Sequence, residues 1–96
     1  MLLDEVRSAL RVDGTEHDAE IQGLIDAALA DLTLSGVSRE KAKPDTGDPL
    51  IKRAVIIYAR AEFDYADQAA DKLRQSYEML KRHLTLSEEY RGGGSS

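Results

Sequence analysis

No cysteine occurs among the 96 residues. Disulfide staples, thiolate nucleophiles and cysteine-based metal centres are therefore excluded, and the redox compartment is left open. Proline is confined to Pro44 and Pro49. The tyrosines, Tyr58, Tyr65, Tyr77 and Tyr90, are spaced as core or interface aromatics and not as a base-stacking platform. Glycine is scattered or gathered in the tail, so no phosphate-cradling loop is formed. No apolar run approaches the roughly 20 residues that span a bilayer. Met1-Leu2-Leu3 is followed at once by Asp4 and Glu5, which is not the start of a signal peptide. A soluble protein made and used in a cytoplasm is expected, with no membrane partner.

Cations are also in short supply: 13 Lys and Arg face 18 Asp and Glu, a formal net charge of −5. A protein that grips nucleic acid through phosphate neutralisation carries a basic face, and this balance argues instead for solubility. An acidic wall along which DNA slides without sticking remains compatible with it. The hydrophobic fraction of 42% and charged fraction of 32% are those of a globular chain. Its length supports one domain, residues 1–90, followed by a flexible Gly/Ser tail, 91–96, with the composition of an engineered linker. So small a core gains from self-association.

What is present is helix grammar. Leu3, Val6 and Leu10 make one apolar stripe on a short helix that must dock on something, since two turns alone would melt. Asp4 and Glu5 in its first turn and Arg7 and Arg11 beyond suit the macrodipole. Val12-Asp13-Gly14-Thr15 reads as a turn, after which Thr15 or Asp18 caps a second helix through Ile21, Leu24, Ile25, Ala28, Leu29 and Leu32. Ser35-Gly36 supplies its stop, Gly36 in the left-handed position. Residues 37–48 form a long polar linker holding the basic cluster Arg39, Lys41 and Lys43, read either as a solvated loop or as a segment that orders against a neighbouring subunit.

Asp48-Pro49 is an N-cap followed by proline at the first helical position. The third helix, Pro49 to about Tyr65, is apolar nearly all round at Ala54-Val55-Ile56-Ile57-Tyr58-Ala59. That girth predicts a subunit interface on its flank at Ile56, with burial of Ile56 under the first helix as the competing explanation. Arg53 and Arg60, one heptad apart, add a basic stripe there. The last helix, about Ala69 to Leu84, presents Leu73, Tyr77, Leu80 and Leu84 as a seam that packs antiparallel on the third. Thr85-Leu86-Ser87 reads as an extended end. The fold class is all-α: a small bundle of about four helices, the last two long and antiparallel, the short N-terminal helix docked on them.

Chemistry-bearing constellations are absent. Asp64, Asp67 and Asp71 cluster between the last two helices, but no calcium-loop pattern accompanies them, and capping accounts for Asp67 and Asp71. His17 and His83 stand apart as surface histidines, not as zinc ligands. Ser8, Ser76 and Ser87 lack nucleophile-elbow glycines. No catalytic, cofactor or metal site is expected.

The order of these pieces resembles the small head–tail connector, or head-completion, proteins of tailed bacteriophages. Leu3 to Asp13 resembles their start, followed by an acidic lead into Ile21 to Ala28. Asp48-Pro49-Leu50-Ile51-Lys52-Arg53-Ala54-Val55 resembles their central helix, and Leu73 to Leu84 is similar to their terminal one. The resemblance implies a virion protein without catalytic residues, assembled in the host cytoplasm. It implies a ring, dodecameric where it matches the portal, that joins the capsid portal to tail or stopper proteins and extends the DNA channel, touching DNA only in passing. Subunit-interface candidates are Arg39, Lys41, Lys43, Arg53, Ile56 and Arg60. A helical DNA-binding packaging or regulatory protein and a generic helical adaptor are the alternatives.

Overall fold

The computed structural model describes residues 2–63 and 69–91. Asp64, Tyr65, Asp67 and the Gly92–Ser96 tail lie outside the described residues. Four helices follow one another: α1, Leu2–Leu10; α2, Asp18–Leu34; α3, Pro49–Phe63; and α4, Ala69–Leu86. No strand occurs among the described residues; Val37 and Arg91 form one isolated antiparallel bridge. The all-α bundle expected from the sequence is the fold. Its extents are 43 × 27 × 18 Å.

The chain reads its own punctuation at most helix ends. Asp48 caps α3, its Oδ1 accepting from the backbone N–H groups of Leu50 and Ile51 at 2.9 and 3.2 Å, while Pro49 opens the helix without a donor to satisfy. α2 closes in a Schellman motif. Gly36, at φ +118°, donates to the Thr33 carbonyl and Val37 to that of Leu32, and the side chains of Val37 and Leu32 are both buried. α1 closes in the same way, with Arg11 donating to Ser8 and Val12 to Arg7. There the left-handed position is held by Arg11 at φ +59°, which costs an L-residue what glycine avoids.

One expected cap is absent. His17 occupies the N-cap of α2 without a side-chain hydrogen bond. Asp18 is instead taken by Arg7, whose Nη2 donates to both of its carboxylate oxygens at 2.8 Å. A bidentate guanidinium fork competes well for a carboxylate, and the pair ties the foot of α2 to α1. Lys52 Nζ reaches Glu5 Oε1 at 3.0 Å and ties α1 to α3. These two links and the burial of Leu2 and Val6 dock a helix too short to persist alone.

Helix α3 lies at the centre, in contact with all three others. Cross-helix pairs run α3 and α4 in opposite directions: Glu62 with Arg74 at 3.4 Å near one end, Tyr58 edge-on to Tyr77 at 5.2 Å between centroids, Asp48 with Tyr90 at the other. Ile21, Ile25, Leu32, Ile51, Val55 and Leu84 are fully enclosed, each worth about 1.5–3 kcal/mol in removal from water.

Three expectations are corrected here. Most of the apolar girth of α3 is covered within one molecule, since it touches all three other helices: Ala54, Val55, Ile57 and Ala59 are buried, while Ile56 and Tyr58 are half-buried. The linker 37–48 is a folded segment, not a loose one. Val37, Ala42 and Thr46 are buried, the Ser38 carbonyl accepts from Lys41 and Ala42, and the Ser38 N–H donates to the Tyr90 carbonyl at 2.7 Å. Thr85 and Leu86 are likewise helical, the final turns of α4.

Candidate functional site

Two polar knots hold the elements that carry the exposed surfaces. In the first, the Tyr77 hydroxyl donates to Asp31 Oδ2 at 2.6 Å and Lys81 Nζ donates to the same oxygen at 2.9 Å. Burial opposes the Asp31 charge, but these two hydrogen bonds outweigh it and keep the carboxyl below its ordinary range. Burial and the bond to Asp31 push the Tyr77 phenol far above its usual value. The knot fixes α2 against α4.

In the second, Tyr90 donates to Asp48 at 2.9 Å, on the carboxylate that already caps α3. Lys41 Nζ stands 3.9 Å from Asp48 and 3.6 Å from Glu89, over the Tyr90 ring at 5.2 Å. Burial, then the bond to Asp48, push the Tyr90 phenol up to about 12. The C-terminal segment thus pins the 37–48 segment to the start of α3.

The six residues singled out from the sequence divide into three groups. Lys41 is spent inside the second knot. Arg39 and Lys43 are exposed and line a groove of about 570 Å³ beside Leu29, Ala30, Leu34 and Pro44. Arg53, Ile56 and Arg60 share the open flank of α3, at positions i, i+3 and i+7 of one stripe. Arg60 and Arg11 also line a cavity of about 340 Å³ with Leu10, Phe63 and Leu73, which puts the Arg60 end of the flank beside a furrow between α1 and α4. The groove and this cavity share no residue. Asp71 pairs with Arg74 at 3.0 Å, and His17 packs edge-on against Phe63.

Large apolar side chains stand in solvent where the sequence reading did not look. Leu34 is 88% exposed, Leu86 72% and Met79 64%. Leu34 falls outside the stripe from Ile21 to Leu32, and Met79 outside the seam from Leu73 to Leu84; that mismatch with the periodicity was the signal available. The outward side of α2 is unusual for a solvent face. Ala19, Gly23, Ala27, Ala30 and Leu34 are exposed along it, and the helix contains no lysine or arginine. The surplus of apolar girth therefore belongs to α2 and not to α3.

No helix among the described residues is long and apolar enough to cross a membrane. What the described residues offer is surface, carried on elements locked by the two knots. A family model described as phage connector protein matches residues 2–91. No curated protein and no solved structure matches the chain.

Proposed function

Since this chain belongs to the phage connector protein family, we propose that it is a subunit of a ring that joins the capsid portal to the tail and prolongs the DNA channel. One observation carries the reading. The match runs from residue 2 to residue 91, through all four helices and the C-terminal Tyr90 knot, so it concerns the whole folded unit and not a shared helical hairpin. The surfaces suit such a role. A rigid small bundle with exposed Leu34, Met79 and Leu86 has apolar area that neighbours can cover, and small domains gain stability when they do.

In this reading the ring is dodecameric where it meets the portal, and tail or stopper proteins dock on its far side. The groove bordered by Arg39 and Lys43 and the flank bearing Arg53, Ile56 and Arg60 are the contact surfaces; Lys41 holds the 37–48 segment in place. DNA is touched in passing, without sequence reading. The protein is a structural part of the virion and joins it in the host cytoplasm.

Deleting the gene from the phage that encodes it tests this. Filled heads that lose their DNA and fail to join separately assembled tails are expected, with joining restored by the chain supplied in trans. Infectious, fully joined particles at the normal yield would contradict the reading.

A further inference from the structure

Charge is divided unevenly along the chain. Residues 1–36 hold eight carboxylates and two arginines, whereas the rest holds ten carboxylates and eleven lysines and arginines. The division survives in the fold. Among the described residues no carboxylate forms a salt bridge with Arg53 or Arg60, nor with Arg39, Lys43, Lys72 or Arg82, while Arg7, Lys41, Lys52, Arg74 and Lys81 each have one. Both arginines are exposed, with Ile56 half-buried between them. The outward side of α2 is the counterpart: Glu20 and Asp26 are exposed there, with no lysine or arginine on the helix. His17 stands 3.6 Å from Glu20, and Gln22 donates to Asp26 at 3.0 Å.

The two surfaces lie on opposite sides of α3. Glu62 borders Asp31 of α2 in one cavity, and at about 100° per residue Arg53 and Arg60 stand roughly 160–180° around the helix from it. Arg53 and Arg60 are about 10.5 Å apart along α3 and nearly in line, whereas Glu20 and Asp26 are about 9 Å apart along α2 and about 120° apart around it, so that they flank its exposed stripe on either side. Between the arginines lies the half-buried Ile56, and between the carboxylates the exposed Gly23.

We propose that copies of this chain meet head to tail, the Arg53–Ile56–Arg60 flank of one seated on the Glu20–Asp26 face of the next. A contact of like with like would set arginine against arginine or carboxylate against carboxylate, which costs rather than gains. Because the two surfaces face opposite ways, one two-fold contact cannot engage both, so a heterologous contact is the one that pairs the opposite charges, and heterologous contacts that close by rotation build rings. The apolar outer side of α2, including Leu34, then has an occupant. This inference rests on the connector reading and names the interface by which its ring would form.

The experiment uses full-length chains carrying complementary reversals, Arg53→Glu with Arg60→Glu in one and Glu20→Lys with Asp26→Lys in the other. Native mass spectrometry and sedimentation velocity are run at high protein concentration and low salt. The unaltered chain is expected to associate beyond its 10.6 kDa monomer and to lose association as salt rises. Each variant alone should associate roughly tenfold or more weakly. Their equimolar mixture should recover, because each supplies the face the other lacks, and recovery also shows that both are folded. An unaltered chain that stays monomeric, variants that associate undiminished, or a mixture that does not recover would each overturn the interface. Binding of the unaltered chain to portal-bearing heads, measured in parallel, separates the two readings: if that binding persists while the interface test fails, the connector role stands and this contact is wrong.

Discussion

The Tyr90 hydroxyl donates to an Asp48 carboxylate that already accepts two backbone N–H groups at the start of α3. One phenol therefore links the C-terminal segment, the 37–48 segment and a helix cap. Its titration has a defined sign. Folding raises the phenol from the usual value near 10 to about 12, so the neutral form is the one the fold favours. The contribution is whole below pH 10 and drains away as pH rises through 12. Tyr77, also raised through burial and Asp31, adds to the loss in the same direction. Thermal unfolding followed from pH 8 to 12 is expected to show stability falling above pH 10, and Tyr90→Phe should cost about 1–2 kcal/mol at neutral pH and flatten that fall. An unchanged alkaline slope in Tyr90→Phe would show that the knot contributes nothing. Little of this was legible from sequence. Tyr90 and Asp48 are 42 residues apart, and an isolated tyrosine beside a glycine-rich tail carries no periodic signal.

At the scale of elements, helices α1 to α4 were legible because their apolar stripes and the Asp48-Pro49 and Ser35-Gly36 signals are local. What was not legible depended on neighbours. Asp18 has the residue type of a cap, but Arg7, eleven positions earlier, claims it once α1 docks. The 37–48 segment is polar by composition, yet Val37, Ala42 and Thr46 are inward because Tyr90 supplies a surface to close on. The girth of α3 overstated how much of it stays bare, because the number of helices packed around it is not written in its own residues. In the candidate site, the spacing of Arg53, Ile56 and Arg60 was readable and remains a shared stripe, whereas the partners of Lys41 were not. The paired helix ends supply a test. α1 and α2 close in the same motif, with arginine in one left-handed position and glycine in the other. Arg11→Gly removes the side-chain strain at the cost of a freer unfolded chain, and a net gain of roughly 0.5–1 kcal/mol is expected. Calorimetry should show Tm rising by a few degrees; a fall would mean that the Arg11 side chain contributes more than its backbone costs.

At the scale of the whole molecule, the bundle presents two unlike sides, an acidic and apolar one on α2 and a cationic one on α3, and in the proposed contact each supplies what the other lacks. The net charge of −5 opposes indiscriminate contact between copies, and under the proposal the uneven division of charge selects one orientation. The central claim is a place in the particle, at the junction between portal and tail. Cryo-electron microscopy of joined particles from the encoding phage tests it most directly. A ring of four-helix subunits between portal and tail, each matching this fold, is the predicted density; a junction built without this chain would contradict it.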